Sequence, residues 1–419
     1  MRRRDFVVDS MALMAAGSWV ACAKDRPRRW PDRTLVRYLR TNWSRDPYAF
    51  GSYSYVAAGQ RPDDRANLER PVDGRVFFAG EALNPNYHSS VHAAHESGLR
   101  AVAAVRETGA SRVAVVGAGM SGLTAAHGLA KAGVEVTVVE ARDRIGGRLW
   151  SDDSLGATVD LGASWIHGPD GNPLTALADQ LGLKRVPTGD DYVIRGGGGR
   201  KLGTLDTPAW LYEVIEATTS GVETKEISEQ YLTETFPEYG VGYPGTDVIF
   251  PDGYSEILDA LRGDYRVVLS AIVERVRHAA GGVTLDLVGG ATVASDAVIV
   301  TVPLGVLQRG SIAFDPPLDE AKSGAIERMG MGLLDKLYLH FDVPFWDAEV
   351  STFFTPDNGL PQGQFNYWVN LYPSLGVPIL LGFNGGSPAR ALAHEPDETL
   401  LACALQSLDR AYPAAGGAS

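Results

Sequence analysis

Three glycines, Gly117, Gly119 and Gly122, stand in G-x-G-x-x-G spacing between a β-branched run, Val113 to Val116, and a stretch of helix formers that stops at Gly133. A strand-turn-helix of this kind offers unpaired backbone N–H groups to an anion, and the helix dipole favours negative charge at the same end. Gly117 permits the turn, Gly119 lets backbone approach a pyrophosphate, Gly122 lets the helix close on the sheet, and Ser121 sits inside the turn. A second run, "VEVTVVE", delivers Glu140 eighteen residues after Gly122, the spacing needed to hold a ribose diol. The chemistry is dinucleotide binding. These residues alone leave NAD and FAD open.

Lys336, in "MGLLDKLYLHF", lies on an alternating apolar stretch. A lysine aimed inward from such a strand is costly without partners, so the position reads either as functional or as a solvent-facing strand-edge residue. His88, His92 and His95 recur at helical spacing, but no thiol or carboxylate ligand accompanies them, which reads as packing near a helix start and not as a metal site. Two cysteines, Cys22 and Cys403, cannot build a disulfide framework.

The continuation "EARDRIGGRLWS", carrying Arg142, Gly146, Gly147 and Arg148, resembles the second nucleotide signature of the flavin amine oxidase family, and "VDLGASWIHGPDGNPL" resembles that family's next block. The likeness runs on through "PDGYSEILDAL", "DAVIVTVPLGVLQ" and "MGLLDKLYLHFDVPFWD", and is nearest to polyamine oxidases and the catalytic domain of lysine-specific histone demethylases. What it implies is non-covalent FAD, since Ser52 stands where monoamine oxidases carry a flavin-bonded cysteine. It further implies oxidation of a primary or secondary, polyamine-like amine to an imine, with O2 reduced to H2O2. Lys336 matches the catalytic lysine that holds a water beside the flavin. Ser164, Trp165, Glu81, Ser90 and Val91 match backbone and side-chain contacts to the cofactor, and Val273 matches the residue packed on adenine. Tyr53 matches an aromatic wall of the substrate pocket; Trp43, Tyr48 and His167 are further pocket candidates. An L-amino-acid oxidase on the same scaffold would need a pocket arginine for the substrate carboxylate, with Arg195, Arg200 and Arg309 unplaced. A flavin-binding protein without turnover is the third reading.

The family's closing block, "RVFFAGEA" with "SSVHAAHESGLRAV", stands ahead of the glycine turn, so the order of the chain reads as circularly permuted. Residues 107–112, "ETGASR", reach at most about 20 Å and have the polar character of a surface connection. The expected fold is α/β: a Rossmann-like FAD domain from 45–183 and 248–309, and a mixed-sheet, α+β substrate domain from 24–44, 184–247 and 310–419. Residues 1–23 have a basic start with a twin-arginine-like "RRRDFV", an apolar run and a small-residue triplet, the grammar of an export signal. That run is too short to span a bilayer, and no integral span is expected. With 38 Lys and Arg against 51 Asp and Glu, the net charge of −13 argues against nucleic acid as a partner and suits a cationic small molecule.

Overall fold

The computed structural model of the protein describes residues 32–85, 87–230 and 243–414. The expected export signal lies outside the described residues. Two sheets organise the fold, and each is built from residues on both sides of the glycine turn.

The first is a five-stranded parallel sheet in the order Arg266–Val268, Glu135–Val139, Arg112–Val116, Ala297–Val300, Val76–Phe78. Its central strands are unbroken apolar runs because both faces are covered, the pattern expected of parallel sheets. The helices Val91–Glu107 and Met120–Lys131 pack side by side on one face. Their closeness is written in Gly98, where a Cβ would lie 2.5 Å from the Ser121 carbonyl oxygen. His95 Nδ1 meets Thr124 Oγ1 at 2.9 Å across the same contact. The connection from the first helix to the strand at Arg112 is only four residues, Thr108 to Ser111.

The second sheet has six strands in the order Leu35–Arg40, Leu334–Phe341, Ile379–Gly385, Tyr367–Asn370, Thr352–Phe354, Tyr192–Ile194. Only its last pair is parallel. Strand alternation divides Leu334–Phe341 cleanly: Leu337, Leu339 and Phe341 pack toward the helix Asp397–Ala411, while Tyr338 faces the opposite cluster with Leu381 and Phe383. Lys336 shares the face of Tyr338. The strand is interior to the sheet, so Lys336 is not a solvent-facing edge lysine; it is 6% exposed.

Strands of the first sheet fall within 45–183 and 248–309, and those of the second within 24–44, 184–247 and 310–419. Three small sheets cross that division: Ala313–Asp315 pairs parallel to Val273–Ala279, Gly330–Gly332 pairs antiparallel to Tyr53–Tyr55, and Val186–Pro187 joins Trp165–Ile166 through Val248–Ile249. A buried lysine reinforces this junction. Lys322 Nζ donates to the carbonyls of Asn67, Leu68 and Arg70, which closes the C-terminus of the helix Asp64–Glu69, and the buried Asp64 pairs with Arg328.

Candidate cofactor and active site

Between the two sheets lies a cavity of about 960 Å³. One end is the glycine turn. Gly117 has φ +105°, a conformation that only glycine adopts freely, and a Cβ on it would also meet Thr301 Oγ1 at 2.7 Å. At Gly122 a Cβ would lie 2.0 Å from the Gly117 carbonyl oxygen, so this residue serves the helix–strand approach and does not itself line the cavity. Gly119 is different. Its φ is −79°, and the nearest atom to an added Cβ is 3.9 Å away, which leaves the cavity open in front of it.

Whether FAD fits can be asked of the atoms lining that end. Ser121 Oγ, in the first turn of the helix Met120–Lys131, is buried with no hydrogen-bond partner, as a hydroxyl awaiting a phosphate oxygen would be. Glu140 is buried at the end of the second strand and accepts from the backbone N–H of Ala118 at 2.7 Å and of Arg142 at 2.8 Å, so the acid is locked to the turn it serves. Val273 lines the wall near these residues. A long, partly apolar cavity with an anion-seeking end matches an extended dinucleotide.

The middle of the cavity is closed by residues from ahead of the glycine turn. Glu81 accepts from Ser54 Oγ at 2.7 Å, from Ser89 N at 2.9 Å and from Arg148 Nη1 at 2.8 Å. Burial pushes its carboxyl up, but Arg148 and the Ser54 hydroxyl outweigh that and hold it below the usual carboxylate range. Arg142 makes a two-pronged pair with Asp46, at 2.9 and 2.7 Å, and its guanidinium lies 5.3 Å from the Tyr48 ring centroid. Gly147 lines the same stretch. Ser90 caps the helix Val91–Glu107, accepting from Ala93 N, so the N-terminus of that helix, with Val91, points into the cavity. This positive end suits the electron-rich pyrimidine edge of a flavin.

The far end holds Lys336. Its Nζ donates to the carbonyls of Asp160 at 2.8 Å and Gly162 at 2.6 Å and to Ser164 Oγ, and stands 5.5 Å from the Trp165 ring centroid. Burial drives its pKa below the ordinary lysine value, with the Asp160 carboxylate opposing; burial raises Asp160 in turn. Trp43 is buried, donates its indole N–H to Leu161 O at 3.2 Å and hangs from Asp335 by its backbone N–H. Tyr53 donates its hydroxyl to Thr218 O at 2.9 Å, and burial raises its pKa. His167 stacks on Trp165, with centroids 6.3 Å apart, and meets Asp247 at 2.6 Å. The cavity thus brings together every candidate site residue except Gly122, which acts from behind the wall.

Four residues of the far wall had no signal in the sequence: Tyr367, Phe383, Asp190 and Asp247. Phe383 packs on Trp165 at 6.2 Å and on Tyr367 at 5.4 Å. Arg195 is held by Asp347 and Arg309 sits over Phe50; neither they nor Arg200 line the cavity. Among the described residues no group of His, Cys, Asp and Glu could hold a metal, and no helix is long and apolar enough to cross a membrane.

The profile of flavin containing amine oxidoreductases matches residues 23–106, 120–209 and 220–418, most of the chain. The protein belongs to this family. FAD is accordingly the cofactor of this amine oxidoreductase. Probable polyamine oxidase 4 of Arabidopsis thaliana is 30% identical over an alignment covering 72% of this chain and 71% of the relative. Lysine-specific histone demethylase 2 of Homo sapiens is 28% identical over 71% of this chain, which spans only 43% of that longer protein. The fold is that of solved amine oxidases: cyclohexylamine oxidase from Brevibacterium oxydans superposes with TM-score 0.58 at 22% identity, and putrescine oxidase bound to putrescine with 0.54 at 23%, each covering 72% of this chain and 81% of theirs.

Proposed function

We propose that the protein oxidises a primary or secondary amine of polyamine type to the imine, with O2 reduced to H2O2. The observation that carries this reading is the buried Lys336 on the wall of the same cavity that the glycine turn opens, with aromatic walls and no free arginine between them. Bound FAD would supply the hydride acceptor for the carbon beside an uncharged nitrogen and return two electrons, with two protons, to O2; water then splits the imine into a carbonyl compound and ammonia from a primary amine, or a smaller amine from a secondary one. The protein's part is placement and dryness. Trp165, Phe383, Tyr367 and Tyr53 exclude water and flank the chain of the substrate. Lys336, anchored by two carbonyls, holds a proton-exchanging amine at a fixed point of the wall. The L-amino-acid oxidase reading lacks its carboxylate partner: the cavity arginines are Arg142 and Arg148, both on the cofactor side and both ion-paired. FAD is held without a covalent bond at Ser52, which offers a hydroxyl and no thiol where the resemblance places the flavin-bonded cysteine of monoamine oxidases; its Oγ donates to the Leu334 carbonyl and accepts from the Leu334 N–H at 2.9 Å each.

The test is peroxide release and anaerobic bleaching of the flavin with spermidine, putrescine, tryptamine and L-amino acids. Activity with the first three supports the reading. Turnover of carboxylated substrates alone overturns it, and a flavin that no amine reduces returns the protein to a binding role. Yellow colour remaining on acid-precipitated protein would contradict non-covalent FAD.

The permuted chain order is part of the same proposal. Its supports are the parallel pairing of Val76–Phe78 with Ala297–Val300, the short connector at 108–111, the break in the family match between 106 and 120, and Arg33 Nη2 donating to the Tyr412 carbonyl at 2.8 Å near both ends of the described chain. Export of the folded, flavin-loaded protein rests on residues 1–23 alone and is tested by fractionating cells that express the full chain and its Arg3→Lys, Arg4→Lys variant.

A further inference from the structure

Lys336 Nζ is surrounded by acceptors. The carbonyls of Asp160 and Gly162 receive it at 2.8 and 2.6 Å, and so does Ser164 Oγ, whose own hydroxyl donates to the Asp160 carbonyl at 3.2 Å. Three acceptors fit an ammonium, which has three protons to give and no lone pair. A neutral amine in the same place would need a donor. The geometry is that of a buried cation, and a cation held only by neutral oxygens is costly unless a counter-charge lies near.

The counter-charge belongs to the residue that supplies the first of those carbonyls. Asp160 is buried and sits opposite Ser151 in the hairpin that Val159–Asp160 makes with Ser151–Asp152. Its carboxylate accepts from Ser151 Oγ at 2.5 Å and from the Tyr254 N–H at 3.0 Å, and neither bond is to Lys336. The reach of a single residue keeps the carboxylate within about 8 Å of Nζ all the same. Burial drives Lys336 toward the neutral amine, and the Asp160 charge is what opposes it.

The other ionisable groups around the pair are neutral or turned away. Tyr338, whose hydroxyl donates to the Asp160 carbonyl at 2.6 Å, and Tyr254 are both kept protonated by burial, with Asp160 adding to it. His340, next along the same face of the strand, is pushed down by burial and by Arg37. Asp335 points to the opposite side of the strand, where Thr41 and the Trp43 N–H hold it and Arg40 acts on it. Asp152 turns out to Ser154, and Arg148 sends its guanidinium to Glu81 and the Ser52 carbonyl.

We propose that Asp160 is a positioning residue for Lys336: its carboxylate, fixed behind the carbonyl that receives the amine, keeps that amine an ammonium while reduced flavin meets O2. This rests on the amine-oxidase reading above. O2 takes two electrons and two protons from reduced cofactor and solvent to become H2O2, and negative charge builds on oxygen on the way. An ammonium held at a fixed point of the wall stabilises that charge. Asp160→Asn keeps an acceptor for Ser151 and Tyr254 and removes only the charge, so Lys336 should give up its proton at a lower pH.

The experiment uses the FAD-loaded parent, Asp160→Asn and Lys336→Met. The flavin is reduced photochemically, without an amine, and mixed with O2 in stopped flow from about pH 5 to about pH 9. Independently, carbon-13 at lysine Cε reports the protonation of Lys336 by NMR, its resonance being the one that Lys336→Met removes. The parent is expected to reoxidise fast below the Lys336 midpoint and slowly above it. In Asp160→Asn both the rate profile and the resonance should move down by about one pH unit. At the parent's midpoint that shift cuts the charged fraction from about one half to about one in eleven, a roughly fivefold slower reaction. Titration that persists in Lys336→Met belongs to other groups and is subtracted. A midpoint that stays in place in Asp160→Asn, by rate or by resonance, overturns the assignment, and so does a parent whose rate is flat across the Lys336 midpoint. If no amine reduces the flavin, the oxidase reading has failed, and both readouts still decide the role of Asp160, since neither uses an amine. FAD content and thermal midpoint of each variant guard against a folding defect. Should Asp160→Asn fail to fold, the reciprocal measurement decides: in Lys336→Met the Asp160 carboxyl, followed by carbon-13 at aspartate Cγ, should titrate about one pH unit higher than in the parent, and an unmoved carboxyl overturns the proposal.

Discussion

At the scale of single residues, the two ends of the cavity separate binding from turnover. Gly119 has an ordinary φ and open space where a side chain would go. Gly119→Val should therefore still fold, at a cost of about 1 kcal/mol for an apolar residue at the helix N-cap, yet lose FAD, because the new side chain enters the space left for the pyrophosphate. Absorbance at the flavin bands after gel filtration, with a urea titration of the apoprotein, checks both halves. Lys336→Met keeps the volume and removes the amine. Reoxidation of reduced flavin on mixing with oxygen is expected to slow by about a hundredfold with FAD still bound, and an unchanged rate in stopped flow would strip Lys336 of its role. The lost donors to Asp160 and Gly162 should also lower stability by about 1–3 kcal/mol.

Among elements, the helix Val91–Glu107 carries the clearest pH signature. His92 lies in its first turn and His88 just before it. Burial pushes His88 down to about 3, with Arg65 adding to it, and burial pushes His92 down to about 4. The folded protein therefore keeps both neutral at a pH where the unfolded chain, titrating near 6.5, has taken up protons. Their contribution is complete above that value and is lost as the pH falls toward 4, at up to about 1.4 kcal/mol per pH unit for each ring. Urea midpoints at pH 7, 6 and 5, with FAD saturating throughout, should show this slope, and His92→Gln should flatten it. A parallel slope in the variant would point to other groups.

Elements also explain what the sequence could and could not disclose. The nucleotide turn was legible because strand, glycines, helix and terminal acid are contiguous, so local rules suffice. Lys336 was ambiguous until its strand acquired neighbours on both sides. Phe383 was hidden because the strand Ile379–Gly385 is buried along its whole length, and Tyr367 because it opens a strand of only four residues, Tyr367–Asn370, that is buried beyond it, so neither shows an alternation to mark its cavity face. Asp46 and Asp247 could not be assigned because their partners, Arg142 and His167, are 96 and 80 residues distant and are met only through tertiary packing. The dinucleotide site came from periodicity and motif, and the choice of FAD and part of the substrate end from the family resemblance; Tyr367, Phe383, Asp190 and Asp247 came only from the tertiary arrangement.

For the whole molecule, the proposed permuted order makes a direct prediction. A rearranged gene encoding residues 112–414, a short Gly/Ser linker and then 32–107 should bind FAD stoichiometrically and melt within about 5 °C of the parent, since Arg33 and Tyr412 already touch. A soluble but colourless product would count against equivalence of the two orders.

The contact between Thr41 and Asp335, 294 residues apart and continued through Asp335 to the backbone of Trp43, sets a timetable for synthesis. The stretch that walls the flavin leaves the ribosome early, but its anchor follows on the order of tens of seconds later. Throughout that interval Trp43 lacks the partner that fixes it, and the vitamin-derived cofactor has no finished berth. Assembly of the flavin wall thus waits on nearly the entire polypeptide, and a product truncated before Asp335 is expected to carry no colour.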